Sequence, residues 1–404
     1  MQPKLFLVCC SRKQADVWCL SSTLQGMREH PIFDGTQETA LCQYRMPIER
    51  SRPGNAECHI CLGGSTEDAP TVSMGCACRC SAVHLGCIAV WACQQFDIGD
   101  EHWEKCTVCR QLFGGAVLSH VLAKLQPVVG TDLSSLMTVS FHATLAQHLT
   151  SLGKHISAIA VLRAVADATK TCAMGARNEV IASINLAVAL HAEGSVASTQ
   201  EAVTLLTNMQ ALLASNPGLW TNEICEAVLH NLAMQEAAAG NYAAAREHEM
   251  ALIAHLSATG RLDMAAGIQS EQNSAHTHAC LGDFDTAIAV YARTCAKQTL
   301  LLGSQHTDTR LGCTRMMRCC IDAGRAEDAI EPLRRLLAPP PDGATRSVLE
   351  TAEQLCLLAY ALKCTGQHAE MKKTLLQLLA VETRAFGADS AEARVTAAAL
   401  VSEC

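Results

Sequence analysis

The amino-acid sequence predicts a mainly α-helical protein in which a small cysteine-rich finger precedes a long helical solenoid. Three observations carry this. Ala- and Leu-rich stretches with helical spacing fill the chain from about residue 115 onward. A glycine and a small residue recur through them at a nearly fixed period. Four pairs of Cys and His residues crowd into positions 58–109.

Composition bounds the rest. Apolar residues make up 49% of the 404 positions and charged residues 17%, as in a chain that mostly folds, while aromatics at 4% point to cores built from Ala, Leu and Val. A net charge of −8 argues against nucleic acid as a partner, because phosphate contacts need clustered Lys and Arg. The apolar run Leu5–Cys10 is too short for a signal peptide and has no small-residue cleavage site after it. No stretch reaches the roughly 18 apolar residues of a membrane span. The expectation is a cytoplasmic or nuclear protein in a reducing compartment, where clustered thiols among the 23 cysteines hold metal more often than disulfides.

Residues 1–53 show no period and are expected to be a disordered or poorly defined leader. Pro53-Gly54 opens the finger, placed at 54–113. A linker region at 114–138 follows, with a short helix from Gly115 to Leu125 stopped by Pro127.

Residues 139–404 divide into about six repeats. Gly153, Gly194, Gly240, Gly282, Gly324 and Gly366 each close one helix and open the next. A buried small residue is expected just after each turn, at Ala158, Ala202, Ala245, Ala287 and Ala329, with Met371 in the sixth unit. These positions are 44, 43, 42, 42 and 42 residues apart. A second small position precedes the turn: Ala146, Ala187, Ala233, Ala275 and Ala359, with Met317 in the fifth unit. Small residues at two fixed places let paired helices approach closely. The turns Gly240-Asn-Tyr-Ala-Ala-Ala245 and Gly282-Asp-Phe-Asp-Thr-Ala287 resemble those of tetratricopeptide repeats. The long pitch and the links at Leu302–Asp308 and Phe386–Asp389 resemble the kinesin-light-chain variety. A HEAT-like array, whose repeats run at about 40–47 residues, is the alternative.

The finger reads Cys58-x-x-Cys61, Cys76-x-Cys78, His84-x-x-Cys87, Cys106-x-x-Cys109. Eight N and S donors in four pairs suit two closed, structural Zn2+ sites with no open position for water. The plainer alternative is ordinary cysteines in a cysteine-rich chain. The order of four Cys, one His and three Cys resembles RING-CH fingers. That resemblance implies interleaved ligation: Cys58, Cys61, His84 and Cys87 on one zinc, and Cys76, Cys78, Cys106 and Cys109 on the other. A PHD finger shares the ligand order but normally has two residues inside its second pair and a Trp two before its seventh ligand; Trp103 here is three before Cys106. The spacer after Cys78 is short, so Cys80 competes with Cys78 as a ligand.

RING-type fingers dock a ubiquitin-conjugating enzyme charged with ubiquitin and act by positioning, without a covalent intermediate. The resemblance puts Ile60 and Trp91 at the docking positions and Arg110 at the linchpin that bridges both partners. It also implies a Pro where Thr107 stands. Ile60 and Trp91 otherwise pack the finger's core, and Arg110 is otherwise a solvated charge. In the repeats, Asn185, Asn231 and Asn273 recur two before the small residue, and Arg315 follows in the fifth unit. In similar proteins such amides face a groove and pair with a peptide backbone; the alternative is that they tie neighbouring helices together. The histidines at 230, 276 and 278 form no spaced ligand set. The expected function is a ubiquitin ligase whose repeats bind a protein or peptide substrate. The alternative is a non-enzymatic zinc-finger adaptor or scaffold.

Overall fold

The structure, a computed structural model, describes residues 57–66, 71–73, 82–97, 103–106, 111, 113, 115–131, 133–171, 175–339 and 346–402. The expected leader at 1–53 lies outside them. The chain divides into two compact units whose boundary falls between Asn231 and Leu232. Among the described residues no helix is long and apolar enough to cross a membrane.

The first unit opens with a hairpin of two short strands, β1 (Thr71–Ser73) and β2 (Ala82–His84), paired antiparallel with Val72 opposite Val83. Helix α1 (Leu85–Asp97) follows β2 directly, and α2 runs from Gly115 to Val129. The expected stop at Pro127 does not occur. The helix carries Pro127 in its last turn, and Gly130 still donates to the Gln126 carbonyl. Apolar packing outweighs the lost amide bond: Val117, Val121, Leu122, Leu125 and Val129 all face the core.

The repeats begin with α3 (Leu136–Ser151) and α4 (His155–Thr171), continue with α5 (Ala176–Glu193) and α6 (Val196–Ser215), and reach α7 (Asn222–Ala238). Ser135 caps α3 with a reciprocal Ser–Thr box to Thr138. Helix α5 packs between α4 and α6. Every residue from Val180 to Leu190 is buried, as expected of a helix apolar on all sides.

The second unit continues from α7 with α8 (Tyr242–Ala258), α9 (Ala265–Cys280), α10 (Phe284–Leu302), α11 (Thr307–Asp322), α12 (Ala326–Leu337), α13 (Val348–Cys364), α14 (His368–Phe386) and α15 (Ala391–Ser402). Its apolar clusters are small and local, such as Ala275, Ala287, Tyr291 and Cys319. Polar ties add to them: Arg310 donates to Glu350 and Gln354 across α11 and α13, and Glu271 takes both Arg293 and Lys297.

Both units contain helix pairs of the tetratricopeptide-like kind, and the repeat signature has a backbone cause. All six turn glycines have positive φ, between 72° and 82°. In five of them the glycine amide bonds the carbonyl three residues back and the next amide reaches five residues back, as in Lys154 to Leu149 and Arg325 to Cys320. This is the Schellman closure, which needs a left-handed residue at the turn. Gly194 instead caps α5 by a single bond to Leu190. The twelve small or Met positions named from the repeat are all buried.

Candidate metal centre and helical-repeat face

The metal centre grows from one local turn and one strand. At Cys58-x-x-Cys61 the Leu62 amide donates to the Cys58 carbonyl, and the Cys58 amide donates to the Gly63 carbonyl, both at 2.8 Å. Leu62 takes a φ of 59°, rare for a branched residue, and its side chain is exposed. A bond from the His59 amide to the Ala82 carbonyl at 2.9 Å pins the turn to β2. That places His84, the last residue of β2, and Cys87, in the first turn of α1, beside the two turn cysteines.

The donor atoms of Cys58, Cys61, His84 and Cys87 all lie within 4.8 Å of one another. His84 Nδ1 sits 3.3 Å from Cys61 Sγ and 3.8 Å from Cys87 Sγ. Its Nε2 lies 3.2 Å from the Gly64 carbonyl, so the tautomer protonated at Nε2 leaves Nδ1 free to ligate. The His84 amide donates to Cys58 Sγ at 3.4 Å. Burial pushes the Cys58 thiol up, but backbone amides of Cys61, His84 and Ile60 outweigh it and bring the thiol down to about 6. Burial and its two thiol neighbours raise Cys87 to about 11. Three thiols and an imidazole so arranged fit a single soft metal ion.

The first set implied by the family resemblance is thus brought together. Of the second set, Cys76, Cys78 and Cys109 lie outside the described residues, as do Cys80 and Arg110. Cys106 is buried, and its amide donates to the Gln111 carbonyl at 2.8 Å. That bond spans five residues, like the one from Cys58 to Gly63. Among the described residues no second group of three or more ligand-type side chains converges.

Ile60 is 40% exposed on the knuckle. Trp91 is half-buried and meets Phe113 edge to face, with ring centroids 6.1 Å apart. In the repeats, Asn231 is buried, and its amide donates to the Ala227 carbonyl of its own helix at 2.8 Å. Asn273 is half-buried and accepts from Gln269 at 2.9 Å. Asn185 is buried in α5.

Sequence reasoning missed the joint between finger and repeats. Trp103, fully buried, packs on Phe96 and on Phe141 of α3. Beside it Glu104, 1% exposed, accepts a 2.6 Å hydrogen bond from the Thr144 hydroxyl. Cys58, Val83, Ile88, Trp103, Phe113, the inner face of α2 and Phe141 form one apolar cluster. The sole advance signal was repeat phase: Thr144 occupies in α3 the place that Asn185 and Asn231 take later.

Fold and site together define a helical-repeat protein carrying a three-Cys, one-His centre that could hold a metal ion. No family model matches the chain, and no curated protein matches it. Several solved structures are similar. A Podosopora anserina putative kinesin light chain with nearly identical TPR-like repeats shares 23% identity at a TM-score of 0.44, over 49% of this chain and 93% of that one. BtubC (BKLC) from P. vanneervenii shares 14% identity at a TM-score of 0.49, over 56% and 90% of the respective chains. The apo form of RapI shares 9% identity at a TM-score of 0.47, over 71% and 80%.

Proposed function

We propose that this chain is a protein-interaction scaffold whose helical repeats bind a protein or peptide, and whose finger holds structural zinc. The observation that carries the reading is the left-handed glycine that closes the turn in each of six successive helix pairs. Repeats of this kind present side chains at the same place in every unit, which suits an extended ligand. A tetrahedron with Zn–S of about 2.3 Å and Zn–N of about 2.0 Å has N–S edges of about 3.5 Å. The His84–Cys61 and His84–Cys87 separations of 3.3 and 3.8 Å bracket that value. A four-donor site leaves no position for water, so zinc there stabilises the fold and activates nothing.

The ligase reading is the second proposal, and two observations favour it. Cys58 and Cys61 group with His84 and Cys87, skipping the intervening pair, as cross-braced RING-type fingers require. Ile60 stands exposed on the knuckle where a conjugating enzyme would dock. In this reading Trp91 and Arg110 complete the contact, ubiquitin is the transferred group, and the repeats select the substrate.

One experiment separates the two. Zinc per chain is counted by native mass spectrometry, and autoubiquitination is assayed across a panel of conjugating enzymes with wild type, Ile60→Ala and Arg110→Ala. Zinc-loaded protein that is inactive with every enzyme supports the scaffold alone. Activity lost in both variants supports the ligase. A chain that binds no zinc overturns the finger in both.

A further inference from the structure

We propose that Cys295 and Cys313 form a reversible disulfide, closed by a peroxide, that ties α10 to α11. The two thiols come from consecutive helices and are in hydrogen-bonding contact. The helices approach closely at this point for a definite reason. Gly312, next to Cys313, has no side chain, and a Cβ added there would lie 3.4 Å from Cys295 Sγ. The pair is both free and differentiated: Cys295 is buried, whereas Cys313 on α11 is only partly buried.

The two sulfurs suit two roles. Cys295 donates its S–H to Cys313, which lowers the Cys313 thiol against the opposing effect of burial. The same contact, with burial added, holds Cys295 far above the usual thiol range. Five other cysteines of the repeats are pushed the other way: burial raises Cys319 and Cys356 to about 12 and lifts Cys225, Cys280 and Cys320. Buried cysteines of that sort are inert, because the thiolate is the nucleophile. Cys313 is the exception with a partner already in place.

The step balances with hydrogen peroxide as oxidant. Cys313 thiolate attacks one peroxide oxygen and breaks the O–O bond; the released hydroxide takes a proton and leaves as water. The resulting sulfenic acid is attacked by Cys295 sulfur. The S–O bond breaks, the S–S bond forms, and the hydroxyl leaves with the Cys295 proton as a second water. Two thiols are oxidised by two electrons and one peroxide is reduced. A thiol reductant reverses the bond. The bond closes a short loop across the Gly303–His306 link and cross-links the two helices.

The test uses the full chain, loaded with zinc and reduced. It is treated with hydrogen peroxide, its remaining thiols are alkylated, and it is digested without reductant. The expected result is a cross-linked peptide pair containing Cys295 and Cys313 that vanishes on reduction, and a melting temperature several degrees higher in the oxidised chain. In Cys295→Ser, circular dichroism matching that of reduced wild type would show an intact fold. Cys313 in that variant should then accumulate as sulfenic acid and take a cyclic-diketone label. Wild type in which both thiols remain alkylatable after peroxide overturns the proposal. So does Cys313 oxidised to sulfinic acid while Cys295 stays free, since the partner would then have failed to resolve it.

Discussion

Thr144→Val tests whether the finger and the repeats are one folding unit. Valine keeps the shape of threonine and removes only the hydroxyl that donates to Glu104 at 2.6 Å. Both residues are buried, so water does not replace the donor. Leaving a buried acceptor without its donor costs about 1–3 kcal/mol, and an isosteric change creates no cavity to add to it. The expected loss is about 2 kcal/mol. For a unit of this size, each kcal/mol lowers the melting temperature by roughly 2–4 °C, so the shift should be roughly 4–8 °C. The assay is far-UV circular dichroism on the zinc-loaded chain, with Glu104→Gln and the double variant completing a cycle. A coupling energy above about 1 kcal/mol is expected. A Thr144→Val variant that melts with wild type, or purely additive single variants, would refute the joint.

Three further outcomes are expected. Gly267→Ala should destabilise the second unit by about 2 kcal/mol, although alanine normally favours a helix by about 1 kcal/mol; its Cβ would lie 2.1 Å from the Leu262 carbonyl oxygen, a backbone atom. Urea unfolding reads this, and an unchanged midpoint would contradict it. Cys61→Ser should remove one metal ion per chain in native mass spectra, whereas Cys225→Ser, far from the cluster in sequence, should remove none. Glu249→Gln should flatten the pH dependence of stability. Burial raises the Glu249 carboxyl to about 7 against an opposing bond from Thr277. A raised folded pKa means that the native state binds the extra proton. This contribution is therefore complete below about 4.5 and is lost as pH rises to about 7, amounting to roughly 3 kcal/mol at its limit. Melting curves from pH 4 to 8 should fall for wild type relative to Glu249→Gln across that window; parallel curves would show that the carboxyl is not held protonated.

What the sequence revealed and what it hid divide along one physical line. The turn glycines were readable because the Schellman closure demands positive φ whatever surrounds it. The grouping of Cys58, Cys61, His84 and Cys87 was readable because paired ligands lie on single turns, and the family resemblance supplied how the pairs combine. Pro127 was misread because its local veto on helix was weighed without the apolar face of α2, which only tertiary packing displays. The Glu104–Thr144 bond spans 40 residues and carries no local signal, since a glutamate beside a tryptophan looks like a solvated charge. The asparagines fall between these cases. Their recurrence was plain, but not that the Asn231 amide is buried and turns back to the Ala227 carbonyl of its own helix.

The shared apolar cluster alters what metal would do in this protein. In a finger joined by a flexible linker, metal binding stabilises the finger alone. Here Cys58 and Cys106 are buried in the same cluster as Trp103, the inner face of α2 and Phe141 of α3. A ligand that binds only the folded state stabilises whatever folds cooperatively with its site. Metal at Cys58, Cys61, His84 and Cys87 would therefore stabilise the first helix pair as well as the hairpin that holds it. Chelation should loosen α3 as readily as β1 and β2, and hydrogen exchange with and without a chelator should register that in the amides from Val139 to Leu149. Protection lost only before residue 98 would mean that finger and repeats fold separately despite their common core, and the chain would then be a helical array with a detachable module.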